Sequence, residues 1–293
     1  MMSRKIAGVF LTMFFLTTGV SGIFALETPK VSSLPIAQQW QQLEPGLEFG
    51  ELVAPQRSET GDSIVRVLRI DPAYFEFKLL NASALPSSQA FTPKEWSQRH
   101  HLIAAINASM YQEDYLTSVS LMQTRGHVNN PRLTRDKSIL AFDRQTADVP
   151  FVKMIDRQCE NFEDWKHKYR TFVQSIRMIS CKGHNVWRQQ PHQWSTAVIA
   201  TDDSGRVLFI HVRSRYSTHD LINILQYLPL NISRAMYAEG GSEAQLYVNS
   251  QGYEKLFVGG HGSSGFNPYS NGRVVPNVIG IVRRKLLEKK KAE

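Results

Sequence analysis

The 293-residue chain has only two cysteines, Cys159 and Cys181. Neither has a neighbour at metal-ligand spacing, which argues against a cysteine-based metal site. Several familiar chemical signatures are also missing. There is no G-x-x-x-x-G-K-[ST] phosphate loop, no G-x-G-x-x-G after a strand and no H-E-x-x-H. A G-x-S-x-G nucleophile elbow is absent too. No internal repeat is visible, and no nucleic-acid-binding motif is present. After residue 26 no run is apolar enough to span a bilayer.

One apolar run stands at the start. Met1-Met2-Ser3-Arg4-Lys5 precedes an almost uncharged stretch from Ile6 to Leu26. A basic start, an apolar middle and small residues near Ser21, Gly22 and Ala25 have the pattern of a secretory signal. Cleavage after Ala25 is expected; an uncleaved membrane anchor is the alternative. The expected location is therefore periplasmic or secreted. In such a compartment, a disulfide between Cys159 and Cys181 is the simplest reading. The formal charge of +8 suits an anionic glycan, a lipid surface or a phosphate-bearing substrate. Nucleic acid is not an expected partner of an exported chain.

The segments divide as signal (1–25), Pro/Ser/Gln-containing lead-in (26–58), a domain (59–284) and a basic tail (285–293). Ser63–Ile70 and Phe75–Leu80 read as strands split at Asp71-Pro72. Thr92-Pro93-Lys94-Glu95 reads as a capping box opening a helix. Leu102–Ile106 is a buried strand closed by Asn107. Residues 159–172 mix aromatics with charge and read as helix plus loop. Ser195–Ala200 and Arg206–Val212 form a hairpin, and Thr218–Leu228 a helix with Thr218 as N-cap. Residues 259–272 form a glycine-rich loop in which His261 is a candidate lid residue. The expected class is α+β (mixed α/β): a single domain with a mixed, largely antiparallel central sheet flanked by helices.

The most informative segment is Glu239-Gly240-Gly241-Ser242, set between two strand-like runs. Glycines permit positive φ and close backbone approach, so N–H groups beside the carboxylate can face an anion or a sugar oxygen. A plain hairpin turn with an incidental Glu is the local alternative.

Several segments together resemble the phosphodiester glycosidase domain family. Ala105-Ile106-Asn107-Ala108-Ser109-Met110-Tyr111 is similar to the family's strand-ending Asn-Gly-Gly-aromatic or Asn-Ala-Gly-Met motif. Ala235 through Ser242 is similar to its Leu-Asp-Gly-Gly-Gly-Ser turn. Arg273-Val274-Val275-Pro276-Asn277-Val278-Ile279-Gly280 is similar to its closing segment. The resemblance spans roughly residues 60–283. Three departures stand out: Glu239 replaces an Asp, one glycine of the turn is missing, and Ala108-Ser109 replaces a more glycine-rich pair.

The resemblance implies an exported hydrolase that cleaves a glycosyl phosphodiester in a cell-envelope or extracellular glycan. A non-catalytic envelope protein that binds a glycan or partner through the same cleft is the alternative. Such cleavage needs a carboxylate near an oxocarbenium-like centre and donors on the phosphate. Glu239, Asn107 and Arg213 are the expected catalytic residues. Gly240, Gly241, Ser242, Arg215, His219, Asp220, Arg177, Arg273 and Asn277 are the expected substrate-binding residues. His219 and Asp220 earn their place at a helix N-terminus, where free N–H groups suit a phosphate. No cofactor is expected, although the resemblance allows a calcium ion on oxygen ligands.

Overall fold

The computed structural model describes residues 38–260 and 271–285. The expected signal segment, residues 26–37 of the lead-in, His261 and nearly all of the basic tail lie outside the described residues. Among the described residues, no helix is long and apolar enough to cross a membrane.

In chain order, strands β1 (Gln38–Glu44), β2 (Leu47–Val53), β3 (Ile64–Ile70) and β4 (Phe75–Asn81) lead to helix α1 (Pro93–His100). Then come β5 (Ala104–Asn107), β6 (Met122–Thr124), β7 (His127–Asn130), β8 (Ser138–Arg144) and β9 (Val152–Asp156). These are followed by β10 (Tyr169–Ser175), β11 (Arg177–Ile179), β12 (Trp194–Asp202), β13 (Val207–Tyr216) and helix α2 (Thr218–Tyr227). The last strands are β14 (Ile232–Gly240), β15 (Gln245–Ser250), β16 (Tyr253–Val258) and β17 (Asn277–Arg283).

The strands build three sheets, not one. Seven strands are ordered β1-β2-β3-β13-β12-β14-β11, five are ordered β7-β6-β10-β8-β9, and five are ordered β16-β15-β5-β17-β4. Neighbours in each sheet pair antiparallel. The expected largely antiparallel pairing is present, but the expected balance of sheet and helix is not. The described residues hold only two α-helices. The reason is visible in the core. Leu68, Phe209 and Ile199 from the first sheet, Leu140 and Phe142 from the second, and Phe77, Ile106 and Ile279 from the third share one apolar cluster. Sheets cover sheets here, so fewer helices are needed to bury them.

Strand β12 shows how sequence follows from this packing. Thr196–Ala200 is apolar on both faces because both faces are covered. Ala197 and Ile199 join the inter-sheet core, while Val198 and Ala200 face the second cluster with Leu221, Ile222 and Leu225 of α2. Strand β3 divides in the same way, with Leu68 and Ile70 on one side and Val65 and Val67 on the other.

Local signals mostly hold. Thr92 caps α1, and its capping box with Glu95 is complete. In α2 the N-cap is Ser217 and not Thr218, which sits buried one residue inside the helix. Residues 159–172 are not helical beyond one 3-10 turn, Phe162–Asp164. Phe162 and Trp165 instead pack on Tyr169 and Phe172 of β10, so the aromatic spacing serves a turn and a strand. Residues 38–53, within the expected lead-in, form β1 and β2 and pair onto β3. Cys159 and Cys181 form a disulfide with Cα atoms 6.6 Å apart. It ties the chain after β9 to the chain after β11.

Candidate active site

The glycine segment is a corner between two sheets and not a hairpin. Strand β14 ends at Gly240 in the seven-stranded sheet, Gly241–Glu243 makes one 3-10 turn, and β15 begins at Gln245 in a five-stranded sheet. Two glycines make the corner possible. Gly241 has φ 68°, in the left-handed region. A Cβ on Gly240 would run into the Tyr237 hydroxyl and press on Trp194.

Glu239 is the penultimate residue of β14. It is only partly exposed, and its carboxyl sits among protein atoms. Burial pushes its pKa up to about 7; the Gly240 N–H, bonded to Oε1 at 3.0 Å, opposes this and Glu243 adds to it. A second carboxylate therefore belongs to the site. Glu243 accepts a 2.8 Å hydrogen bond from the Ser242 hydroxyl and lies 3.8 Å from Nε of Arg273. The Tyr111 hydroxyl is pushed up to about 12 by burial first and then by the charges of Glu239 and Glu243.

Asn107 is drawn to this corner, but as a brace. Its Nδ2 donates to the Glu243 carbonyl at 2.8 Å, and its Oδ1 accepts from the Gln245 backbone N–H at 2.8 Å. Fully buried Gln245 grips Arg273 in turn, donating to its carbonyl at 2.9 Å and accepting its N–H at 2.9 Å. His211, also fully buried, bonds the Ala244 carbonyl through Nε2 at 3.1 Å. The carbonyl can only accept, so Nε2 carries the proton. Burial, the largest cause, and Arg66 hold this ring neutral, with a pKa of about 3.

The remaining expected residues separate into groups. Asn277 accepts from Asn81 Nδ2 at 2.7 Å and donates to the Leu116 carbonyl at 3.2 Å, so it fastens the Tyr111–Ser118 loop. Arg213 lies two residues beyond His211, which pairs with Ala197, the register partner of Glu239. It thus shares the sheet end with Glu239, and its guanidinium pairs with Asp62 at 4.0 Å. Arg215 lies further along the same strand, its backbone N–H bonded to Thr60.

Three residues are committed elsewhere. Arg177 donates from Nη1 to both oxygens of buried Asp156 at 2.9 Å, and from Nη2 to Gln158. Asp220 accepts from the Ser217 hydroxyl and from Gln189. His219 Nδ1 contacts the Trp187 carbonyl at 2.6 Å. The end of α2 is therefore filled by its own cap and the preceding loop. Glu243, Tyr111 and His211 were missed by the sequence reading. Glu243 carried one usable signal: a second acid four residues after Glu239, across the same glycines.

Among the described residues, the one cluster of three acidic, sulfur or imidazole ligands close enough to share an ion is Asp156, Cys159 and Cys181. Its sulfurs are bonded to each other and its carboxylate is held by Arg177.

This geometry sits in a recognised setting. The phosphodiester glycosidase family model matches residues 100–282. The chain belongs to that family, whose members are hydrolases of the glycosidase type. The zebrafish N-acetylglucosamine-1-phosphodiester alpha-N-acetylglucosaminidase catalytic domain, described as auto-inhibited by its pro-peptide, is similar in fold. The TM-score is 0.58 at 11% identity, over 84% of this chain and 88% of that one. A hypothetical protein from Synechocystis is similar at a TM-score of 0.57 and 14% identity, over 84% of this chain and 64% of that one. No curated protein matches the chain.

Proposed function

We propose that this chain is an exported hydrolase that cleaves a glycosyl phosphodiester in a cell-envelope or extracellular glycan, with Glu239 as its reactive carboxylate. The observation that carries this reading is the Glu239 carboxyl, raised to about 7 on a glycine corner beside Glu243 and Arg273. Catalytic carboxyls are commonly tuned in this way by burial and a neighbouring acid. The N-terminal signal pattern and the disulfide support export.

Cleavage at the anomeric carbon breaks the C1–O bond and builds positive charge on the sugar. The leaving group is a phosphate monoester, which needs little help from a general acid. The harder task is to activate water and to stabilise the cation-like sugar. Ionised Glu239 does either through its carboxylate. Arg273, more than half exposed, supplies a cation for the phosphate. Asn107, Gln245 and His211 hold the corner on which both acids stand, and they act by position.

The test is release of free sugar from synthetic methyl phosphodiesters of N-acetylglucosamine, glucose and mannose by purified protein. Glu239→Gln should lower kcat by about 10²- to 10⁴-fold. Full activity in Glu239→Gln would remove the assigned role. Saturable binding without turnover, unchanged by Glu239→Gln, would instead favour a glycan-binding envelope protein.

A further inference from the structure

Tyr115 is the most exposed of the described large apolar or aromatic side chains, at 69%. Its backbone is also in the left-handed region, with φ 57°. Glycine, asparagine and aspartate take that conformation cheaply; a tyrosine does not. The position gains nothing from core burial, so the ring is held in water at a backbone cost.

The surrounding loop is tied down at several points. The Tyr115 N–H bonds the Gln112 carbonyl at 3.0 Å, and the Gln112 N–H bonds the Thr117 carbonyl at 2.7 Å. Asp114 Oδ1 accepts the N–H groups of Leu116 and Thr117 at 3.0 and 2.9 Å. The Leu116 carbonyl is gripped by Asn129 at 3.0 Å and by Asn277 at 3.2 Å. A bridge between Tyr111 and Ser118 closes the loop.

The loop leads on from the Asn107 end of β5, and its Tyr111 feels the charges of Glu239 and Glu243. The Tyr115 ring centroid is 5.7 Å from that of Tyr111, at 45°. Tyr111 lies only four residues beyond Asn107, whose side chain holds the Glu243 backbone. An aromatic face fixed at the mouth of a glycosidase site suits the apolar C–H face of a pyranose ring.

We infer that the ring of Tyr115 is a stacking platform for a pyranose ring of the substrate, a specificity-determining surface at the mouth of the Glu239 site. The inference rests on the reading of that site given above. The loop is already tied in place, so binding does not have to order it.

The test uses the full chain and two readouts. Turnover of the methyl phosphodiesters of N-acetylglucosamine, glucose and mannose is compared for the parent, Tyr115→Phe, Tyr115→Ala and Tyr115→Gly. Binding of the same three compounds to Glu239→Gln, with and without Tyr115→Ala, is measured by titration calorimetry. Loss of the ring should raise KM and Kd about tenfold, with kcat within about twofold; Tyr115→Phe should match the parent. Tyr115→Gly accepts the left-handed backbone, so it should melt no lower than the parent while binding as weakly as Tyr115→Ala. Unchanged KM and Kd in Tyr115→Ala and Tyr115→Gly would overturn the platform and leave the Glu239 site standing. Ring-dependent binding without turnover in the parent would keep the platform and remove the hydrolase. Absence of both binding and turnover would remove both.

Discussion

The Asn107 side chain donates to the Glu243 carbonyl at 2.8 Å, from the end of a strand 136 residues earlier in the chain. Its other side-chain atom accepts from Gln245. One amide thus fixes the exit of the turn that carries the second carboxylate, on both sides of Ala244.

Asn107→Ala should therefore destabilise the fold and disorganise the corner. Two hydrogen bonds are lost and two backbone groups are left to find partners. The cost should be about 2–3 kcal/mol in a denaturant titration. Asn107→Asp, which keeps the acceptor and loses the donor, should fall between the parent and the alanine variant.

Glu239 should give stability and activity opposite pH trends. Its folded pKa is about 7 against an ordinary 4.5, so the native state holds the proton more tightly than the unfolded chain. The stability this proton provides is full below 4.5 and is lost as pH rises to about 7. Glu239→Gln should therefore match the parent at pH 4 and exceed it by about 3 kcal/mol at pH 8, measured by denaturant titration. Activity should run the other way. With Glu239 acting as a carboxylate, kcat/KM should rise with pH through about 7. A profile falling through that range would reverse its role to proton donor.

Arg177 should prove a stability residue. Its partner Asp156 is buried and also accepts the Cys181 N–H at 2.9 Å. Arg177→Met leaves that carboxylate without its cation and should cost about 3–5 kcal/mol in chemical denaturation. The specific activity of the folded fraction should not change. A large rise in KM with normal stability would restore it to the substrate site.

Gly240 and Tyr237 should couple. Gly240→Ala places a methyl group against the Tyr237 hydroxyl and should cost about 1–3 kcal/mol. Tyr237→Phe removes that oxygen, so the double variant should recover part of the loss. A double-mutant cycle read by thermal melting measures it. Strict additivity would mean the corner yields elsewhere.

The legible parts of the molecule were those fixed by neighbours in sequence. The capping box of α1 is four residues long and could be read directly. The alternation in β4 and the turn at Asp202–Gly205 are likewise local. The Glu239–Ser242 turn was legible as a turn. That its two strands belong to different sheets was not, because the register of β15 is set by β5, some 140 residues away. The Gln-rich β1 carried little apolar signal and is an edge strand, where one neighbour suffices to hold it. Asn107 and Asn277 were expected as residues of the site, but their side-chain partners are set by tertiary structure. The sequence suggested groups that meet a sugar; the structure gives them braces that meet backbone. Arg177 pointed to the cleft only by its position after a strand, and a buried aspartate claims it.

The corner at Gly240-Gly241 has a mechanical consequence. Glu239 rides on the seven-stranded sheet, while Glu243 is fastened through Asn107 to a neighbouring five-stranded one. The gap between the two acids is therefore not a property of the turn alone. It is the distance between two slabs, set by what fills the space between them, including Phe77 against Phe209 at 6.0 Å. A change of volume in that filling, far from the corner itself, would reset the spacing of the two acids as a spacer resets a gauge.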